Sequence, residues 1–218
     1  MHKSKAFILR CQAQGDSSLI FHAICEDESL RSFILKGGQK RKKGSVGILK
    51  SPLAKVELVY YPSKSGGIHM LKSFNALRVD DWMDSDIVKL NIRMFIAEIV
   101  WKYAVVQPSD SEAFELVNNI SKEISNSAEP GLIPLEFVLM LCKALGLSPS
   151  VEEKDNLPHS LHPGLELFQR WIKTSTQQII ESERIPVLDF LLGYLAFHHA
   201  NFTQIKSLKI IREVLRAE

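Results

Sequence analysis

Apolar and polar positions alternate over short stretches through the first 80 residues of the chain. Five stretches are rich in Phe, Ile, Leu, Val and Tyr: KAFILRC, SLIFHAIC, RSFILKG, LAKVELVYY and GIHMLKSFNALRV. Residues that favour turns separate them, in QAQGDS, EDES, GGQKRKKGS and PSKSGG. The pattern predicts five short strands with no helix among them.

Five strands in so short a segment fit a small barrel that is closed or nearly closed. The OB-fold, a five-stranded Greek-key barrel, has this size. An SH3-like barrel is the structural alternative. We therefore expect a mixed β and α protein that begins with an OB-fold barrel.

The period of the pattern changes at Asp81. The stretch DSDIVKLNIRMFIAEIVWKYAVV has apolar residues at helical spacing, an acidic start, and Pro108 just beyond its end. Five further stretches have the same character: SEAFELVNNISKEIS, IPLEFVLMLCKALGL, LHPGLELFQRWIKTSTQQIIES, IPVLDFLLGYLAFHHA and QIKSLKIIREVLRA. The sequence thus predicts two domains, an OB-fold domain over residues 1–80 and an all-α helical domain of about six helices over residues 81–218.

The two predicted domains carry opposite net charge. Residues 1–80 contain 14 Lys and Arg against 6 Asp and Glu, a net charge of +8, and residues 81–218 have a net charge of −6. A basic half joined to an acidic half is typical of a protein whose basic half meets a polyanion. The alternative is that the two halves only offset each other for solubility.

Positive charge is densest between Lys36 and Lys50. Glycines lie among these cations and let the backbone approach a ligand closely, and neutralising phosphates with Lys or Arg releases counterions from DNA. The sequence therefore predicts nucleic-acid binding by this loop and by cations on neighbouring strands: Arg10, Lys36, Lys40, Arg41, Lys42, Lys43, Lys50, Lys55, Lys72 and Arg78.

Four aromatic rings lie in the predicted strands and are candidates for stacking on bases. They are Phe33, Tyr60, Tyr61 and Phe74. Rings in strands are more often part of a core, and a basic loop is often only solvated.

No motif in the sequence indicates catalysis. A phosphate-binding loop, HExxH and GxSxG are all missing. His198 and His199 are consecutive and face different directions on a helix, so they do not readily chelate one metal. We expect no enzyme activity, no cofactor and no metal.

Three cysteines without paired spacing argue against a disulfide framework. No apolar run reaches the roughly 18 residues of a membrane span, and the N-terminus lacks the apolar block of a secretory signal. We therefore expect a cytoplasmic protein without membrane contact, associated with the nucleoid if it binds DNA.

The order of several segments resembles the bacterial RecO family of recombination mediators. A strand ending in Leu-Arg precedes the turn QGDSS, and FILKGGQKRKKGS leads to LKSPL and VELVY. A helical part follows with EFVLMLCKALGLSP and ends in FHHANFTQIKSLKIIREVL. Many members of that family carry a CxxC…CxxC zinc module after the LLGL.P-type helix, and the corresponding SPSVEEKDNLPHSLHPG has no cysteine. The turn also lacks the family's tyrosine and has Asp16 where the family has glutamate.

The resemblance implies a non-enzymatic protein of DNA repair and homologous recombination. Such proteins bind single- and double-stranded DNA, anneal complementary strands, contact the C-terminal tail of the single-stranded DNA-binding protein, and with RecR help RecA to load. Because that tail is acidic and ends in apolar residues, its site is expected to be an apolar groove rimmed by cations. The candidates in the helical half are Lys102, Lys143, Lys206 and Arg212.

Two other functions fit the same pattern. The chain is alternatively an interaction adaptor whose basic loop grips an acidic partner protein. It is also compatible with an RNA-binding OB protein, which would bind RNA more tightly than DNA of equal sequence.

Overall fold

A computed structural model describes residues 1–27, 30–40, 46–77, 86–107, 113–150, 154, 156–173 and 179–217. In these ranges a closed five-stranded barrel is followed by six α-helices. The chain divides into two compact units, Met1–Asn126 and Ser127–Glu218. Each unit is described by itself.

The barrel of the first unit has the predicted five strands, β1 (His2–Gln14), β2 (Ser18–Cys25), β3 (Leu30–Leu35), β4 (Lys55–Tyr61) and β5 (His69–Ala76). Neighbouring strands follow the order β1–β2–β3–β5–β4, and β4 closes the barrel on β1. Only the short β3–β5 pairing is parallel. This connectivity confirms the predicted OB-fold and excludes the SH3-like alternative.

Alternate side chains of the strands point into the barrel, as the period of two requires. Phe21 on β2 and Phe33 on β3 are fully buried and stack with ring centroids 5.1 Å apart. Tyr60 on β4 meets Phe33 edge to face at 5.1 Å. The rest of the core is aliphatic and includes Ile8, Leu19, Leu35, Ile48, Leu49, Val56, Leu58 and Leu71.

Two helices belong to the first unit, α1 (Ile87–Val106) and α2 (Ala113–Asn126). The Asp86 carboxylate begins α1 by accepting hydrogen bonds from the backbone N–H groups of Val88 and Lys89. The helices reach the outer side of β1 and β2, where Phe114 lies 5.1 Å from Phe7. The compact unit therefore ends after residue 126, whereas the period of the sequence changes at residue 81.

A buried arginine joins α1 to α2. Arg93 is 1% exposed, and its guanidinium donates to Ser121 Oγ at 3.0 Å and to Ser125 Oγ at 2.8 Å. A buried charge is tolerated only where hydrogen bonds replace its hydration. The pair of serines one helical turn apart on α2 therefore fixes the position of α1 against α2.

The second unit contains α3 (Ile133–Ala144), α4 (His162–Lys173), α5 (Glu181–His198) and α6 (Leu208–Ala217). The sequence predicts one helix over 161–182, but α4 ends at Lys173 and α5 begins at Glu181. A β-carbon on Gly164 would lie 2.5 Å from Phe190 Cβ, so only glycine allows this approach of α4 to α5. Within the described residues, no helix has both the length and the apolar character to cross a bilayer.

Candidate nucleic-acid interface

The loop that follows β3 is fixed to the turn between β1 and β2. The backbone N–H of Gln39 donates to Ser17 O at 2.8 Å. Its side-chain amide donates to Gly15 O at 2.9 Å and to Ser18 O at 2.8 Å. The start of the basic loop is therefore held at one rim of the barrel.

Gly38 brings the loop close to the barrel core. A β-carbon at this position would lie 3.0 Å from Leu19 Cδ1 and 3.1 Å from Leu35 Cδ2. Both leucines are 2% exposed, so neither has room to move away. Glycine thus lets the backbone rest on the core while Lys36 and Lys40, on either side, are exposed.

The far end of the loop is anchored by apolar side chains. Val46, Ile48 and Leu49 are buried and belong to the barrel core. Lys50 follows them directly and is exposed. Uncharged residues therefore fix both described ends of the loop, and the cations of those ends face solvent.

The predicted nucleic-acid-binding cations divide into three groups. Arg10, Lys36, Lys40, Lys50 and Lys72 are exposed. Lys55 is partly buried. The remaining four lie outside the described residues: Arg41, Lys42, Lys43 and Arg78.

Two of the exposed cations lie along the second half of β1. Burial raises the pKa of the Cys11 thiol, and the positive charge of Lys50 acts against that rise. Arg10 is paired across the strands with His22, whose pKa is lowered by burial and then by the Arg10 charge. Arg10 therefore lies beside His22 on the outer face of β1, whereas Lys50 acts on Cys11, whose side chain packs against the barrel core.

Lys72 lies at a different place on the barrel. It is the extra residue of a β-bulge, because Val59 pairs with Ser73 while Tyr60 pairs with Leu71. The bulge leaves Lys72 exposed on β5, and its Nζ lies 3.4 Å from Met1 Sδ. Lys72 thus lies beside the first residue of the chain, on the strand that pairs in parallel with β3.

Lys55 is engaged inside the first unit. Its Nζ donates to Asn118 Oδ1 on α2 at 2.8 Å and lies 5.2 Å from the ring centroid of Phe7 and 5.5 Å from that of Phe114. Burial lowers its pKa, with the Lys122 charge as the next cause. This lysine has a structural role that the strand pattern alone did not reveal.

The aromatic candidates are mostly part of the core. Phe33 and Tyr60 are fully buried, so the expectation that they stack on bases is wrong. Phe74 is half-buried and packs against the same core. Tyr61 alone among the four is exposed, at 42%.

The four cations predicted to bind the partner tail do not share one unit. Lys102 is on α1 of the first unit, whereas Lys143, Lys206 and Arg212 belong to the second. Arg212 borders an apolar groove of about 190 Å³ and donates through Nε and Nη2 to Asp189 Oδ1, at 2.9 and 2.7 Å. The apolar lining comes from Leu192, Ala196, Phe202, Ile205 and Leu208.

Sequence reasoning missed the uncharged residues of the interface. Gln39 makes the hydrogen bonds that hold the loop, and no sequence signal distinguishes it from a solvated glutamine. Met70, opposite Tyr61, is 41% exposed. The only sequence signal for the exposure of Met70 is its position close to the glycine-rich turn between β4 and β5, and that signal is weak.

No group of three metal-ligating side chains occurs in the part of the chain that the structure describes.

The first unit is an OB-fold domain by its strand order and closure, and exposed cations lie at both described ends of the loop after β3. The sequence family described as Recombination protein O N terminal matches residues 1–79. This match confirms the resemblance of the chain to the RecO family of DNA repair proteins.

The similarity to curated relatives extends over nearly the whole chain. The DNA repair protein RecO of Porphyromonas gingivalis is 24% identical, over 95% of this chain and 96% of its own length. That of Flavobacterium psychrophilum is 22% identical, over 97% of this chain and 98% of its own length. A shorter match, 26% identical over 69% of this chain, is to the RecO of Desulfatibacillum aliphaticivorans.

Proposed function

We propose that this protein binds single- and double-stranded DNA through the rim of its barrel and anneals complementary strands during repair. The observation that carries the proposal is the anchoring of the basic loop. Lys36, Lys40 and Lys50 are exposed, while Gln39 and the buried Val46, Ile48 and Leu49 hold the described ends of the loop in place. Cations displayed on a fixed scaffold neutralise phosphates without selecting a sequence.

A salt titration tests the proposal. Fluorescently labelled single-stranded and duplex DNA are titrated with the full chain across a series of salt concentrations. Changing Lys40, Arg41, Lys42 and Lys43 together to Ala is expected to flatten the slope of log affinity against log salt. If all four meet phosphates, the change is about 3.6 units for duplex and about 2.8 units for a single strand.

A matched variant controls for the loss of net charge. Changing Lys122, Lys173, Lys209 and Arg216 to Ala removes three lysines and one arginine that are exposed on helices. This control is expected to retain the slope of the wild-type protein. Equal slopes in the wild-type and the loop variant would contradict the assignment, and tighter binding of RNA than DNA of equal sequence would indicate an RNA-binding protein.

Annealing follows from the same charges. Cations between two strands lower the repulsion of their phosphates, which otherwise opposes pairing. The loop variant is therefore expected to anneal complementary labelled oligonucleotides more slowly than the helix-surface control. An unchanged annealing rate in the loop variant would show that annealing does not depend on the cations of the basic loop.

We also propose that the groove beside Arg212 binds the acidic C-terminal tail of the single-stranded DNA-binding protein. The apolar lining suits the apolar end of such a tail, and Arg212 with the exposed Lys206 supplies positive charge at the edge. A charge-assisted hydrogen bond is worth more than a neutral one. Arg212 is therefore expected to contribute by turning part of its hydrogen bonding from Asp189, which also lines the groove, to the carboxylates of the tail.

A peptide with the sequence of that tail tests the second proposal by fluorescence anisotropy. Changing Arg212 to Ala is expected to weaken binding about tenfold to hundredfold. Lys209, exposed on the same helix, provides the control variant Lys209→Ala. Equal affinities of the two variants would exclude the groove, and a loss on changing Lys102 or Lys143 instead would indicate another site.

We propose further that the chain acts together with RecR to help RecA load on coated single strands. The support is the similarity to curated DNA repair proteins RecO, together with the proposed tail site. ATP hydrolysis by RecA on a strand coated with the single-stranded DNA-binding protein measures loading. The chain and RecR together are expected to shorten the lag, and no effect of either would contradict this role.

A further inference from the structure

A row of side chains crosses the outer face of the barrel over all five strands. Cross-strand pairing joins Gln12 to Ile20, Ile20 to Ile34, Ile34 to Met70, and Met70 to Tyr61. Four of these five side chains are apolar or aromatic. A contiguous apolar patch on the outside of a barrel often marks an interaction site.

Among the four apolar or aromatic members of this row, exposure increases toward the β4 end. Ile20 is 8% exposed, whereas Met70 and Tyr61 are 41% and 42% exposed. The neighbouring row is occupied by the protein itself, because His22 bonds Ser32 Oγ at 2.8 Å and its ring lies 4.5 Å from that of Trp101 on α1. The open part of the outer face is therefore the end formed by β4 and β5.

The turn between β4 and β5 holds this end in place. The backbone N–H of Ser63 donates to His69 Nδ1 at 2.9 Å, and the His69 ring lies 5.3 Å from Tyr60 and 5.6 Å from Phe33. The histidine thus ties the turn to the core. Tyr61 and Met70 are directly opposite each other, so their side chains form one flat patch on a fixed hairpin.

The charge around the patch suits a polyanion. Between Leu58 and Leu77 the sequence contains no Asp or Glu, and it supplies Lys64 and Lys72, both exposed. The outward carboxylate of Glu57 lies about 13 Å along β4 from Tyr61. Lys3 Nζ pairs with that carboxylate at 2.9 Å.

We propose that Tyr61 and Met70 form a stacking platform for an unpaired nucleobase, and that Lys64 and Lys72 meet the phosphates on either side of it. Every base offers a π-face, so a single exposed ring on a basic surface binds single strands without sequence preference. In a duplex the faces of the bases are covered by their neighbours. The platform therefore favours single strands over duplex, and it rests on the proposed DNA binding of the barrel.

The test compares oligonucleotides that differ only in their bases. The full-length wild-type protein and the variants Tyr61→Ala and Tyr61→Phe are titrated with a labelled single strand, with an abasic strand of equal length, and with duplex. Tyr61→Ala is expected to weaken binding of the normal single strand about 5- to 150-fold. Its salt slope, its duplex affinity and its affinity for the abasic strand are expected to equal those of the wild type, and Tyr61→Phe is expected to bind as the wild type does.

Phe197→Ala is the matched control, because Phe197 is an exposed ring of the second unit. It is expected to leave every affinity unchanged. Unchanged single-strand affinity in Tyr61→Ala would overturn the platform while leaving the loop assignment in place. An equal loss on normal, abasic and duplex DNA would overturn it as well. A wild-type protein that binds none of the three would instead contradict the proposed function.

Discussion

At the scale of single residues, the position of the basic loop depends on a glycine without a β-carbon. Gly38 → Ala would place a methyl group 3.0 Å from Leu19 Cγ and 3.1 Å from Leu35 Cδ2. Overpacking a core typically costs about 1 to 3 kcal/mol. Alanine also lowers the conformational entropy of the unfolded chain, which stabilises the folded protein by only about 0.4 to 1 kcal/mol.

Gly38→Ala is therefore expected to lower the free energy of unfolding by about 1 to 2 kcal/mol. Urea denaturation measures this as a lower midpoint at an unchanged slope. The control is Gly67→Ala, because a β-carbon there meets only Ser65 Oγ at 4.0 Å. Equal midpoints for the two variants would show that the leucines yield to the methyl group.

His22 makes the stability of the first unit depend on pH. Burial first, and the Arg10 charge second, lower the pKa of His22 below its ordinary value of 6.5. The unfolded chain therefore binds the proton at a higher pH than the folded protein does. The stability that neutral His22 provides is complete above pH 6.5 and is lost as the pH falls from there toward the lowered pKa.

We expect the difference in unfolding free energy between the wild type and His22→Gln to decrease as the pH is lowered from 7 toward 5. Both proteins share every other titrating group, so the difference isolates His22. Denaturation at a series of pH values measures it. A difference that stays constant or increases on acidification would contradict the lowered pKa.

At the scale of elements, the two helices of the first unit are joined by polar side chains of α1. The buried Arg93 donates to two serine hydroxyls of α2, and Lys89 donates to the Ser125 carbonyl at 3.0 Å. Hydrogen bonds to charged groups are worth about 1.5 to 3 kcal/mol each. The connection is therefore comparable with the burial of one or two large side chains.

Changing Ser121 and Ser125 together to Ala is expected to lower the free energy of unfolding by about 3 kcal/mol or more. Thermal and urea unfolding followed by circular dichroism measure the loss. Ser73→Ala is the control, since Ser73 is exposed on β5. A double variant as stable as this control would mean that Arg93 finds equivalent acceptors elsewhere.

The elements themselves were largely readable from the sequence. A period of two locates strands and a period of 3.6 locates helices, so β2 was predicted at its observed bounds, 18–25. The prediction of one helix over 161–182 is wrong, because residues 179 and 180 are not helical and a new helix begins at Glu181. A continuous apolar period does not show where a helix ends. Glu181 and Glu183 in the first turn of α5 are the sequence signal for a helix that begins there, because acidic residues stabilise the N-terminus of a helix.

The candidate site was readable only in part. Lysines and arginines are visible in a sequence, and five of the ten predicted cations are exposed in the described residues. The direction of a side chain depends on strand register, which bulges shift. The bulge on β5 leaves two successive residues, Lys72 and Ser73, exposed between the buried Leu71 and the half-buried Phe74. The packing of α2 against Phe7, which engages Lys55, is a tertiary contact that no local pattern encodes.

At the scale of the whole molecule, the two compact units differ less in net charge than the two predicted domains, residues 1–80 and 81–218, do. Residues 1–126 contain 18 basic and 14 acidic side chains, a net charge of +4, and residues 127–218 have a net charge of −2. Charges farther apart than about 8 to 10 Å are screened at physiological salt. The proposed DNA binding is therefore expected to depend more on the exposed cations of the basic loop than on the net charge of either unit.

The contact of the barrel with α1 and α2 predicts which fragment folds. Phe7 is 1% exposed and its cross-strand neighbour Ile24 is fully buried, although both face outward from the barrel. Removing the helices would expose these two side chains at a cost of about 3 to 6 kcal/mol. That loss is close to the whole stability of a small domain, about 5 to 15 kcal/mol.

A fragment of residues 1–126 is therefore expected to unfold in one cooperative transition, with a midpoint near that of the first unit in the full chain. A fragment of residues 1–80 is expected to bind a hydrophobic dye and to lose the cooperative transition, because the Phe7 face is uncovered. Urea denaturation and dye fluorescence of both fragments measure this. If the shorter fragment unfolds with the same midpoint as the longer one, the barrel is stable alone, and the helices contribute to the protein in another way.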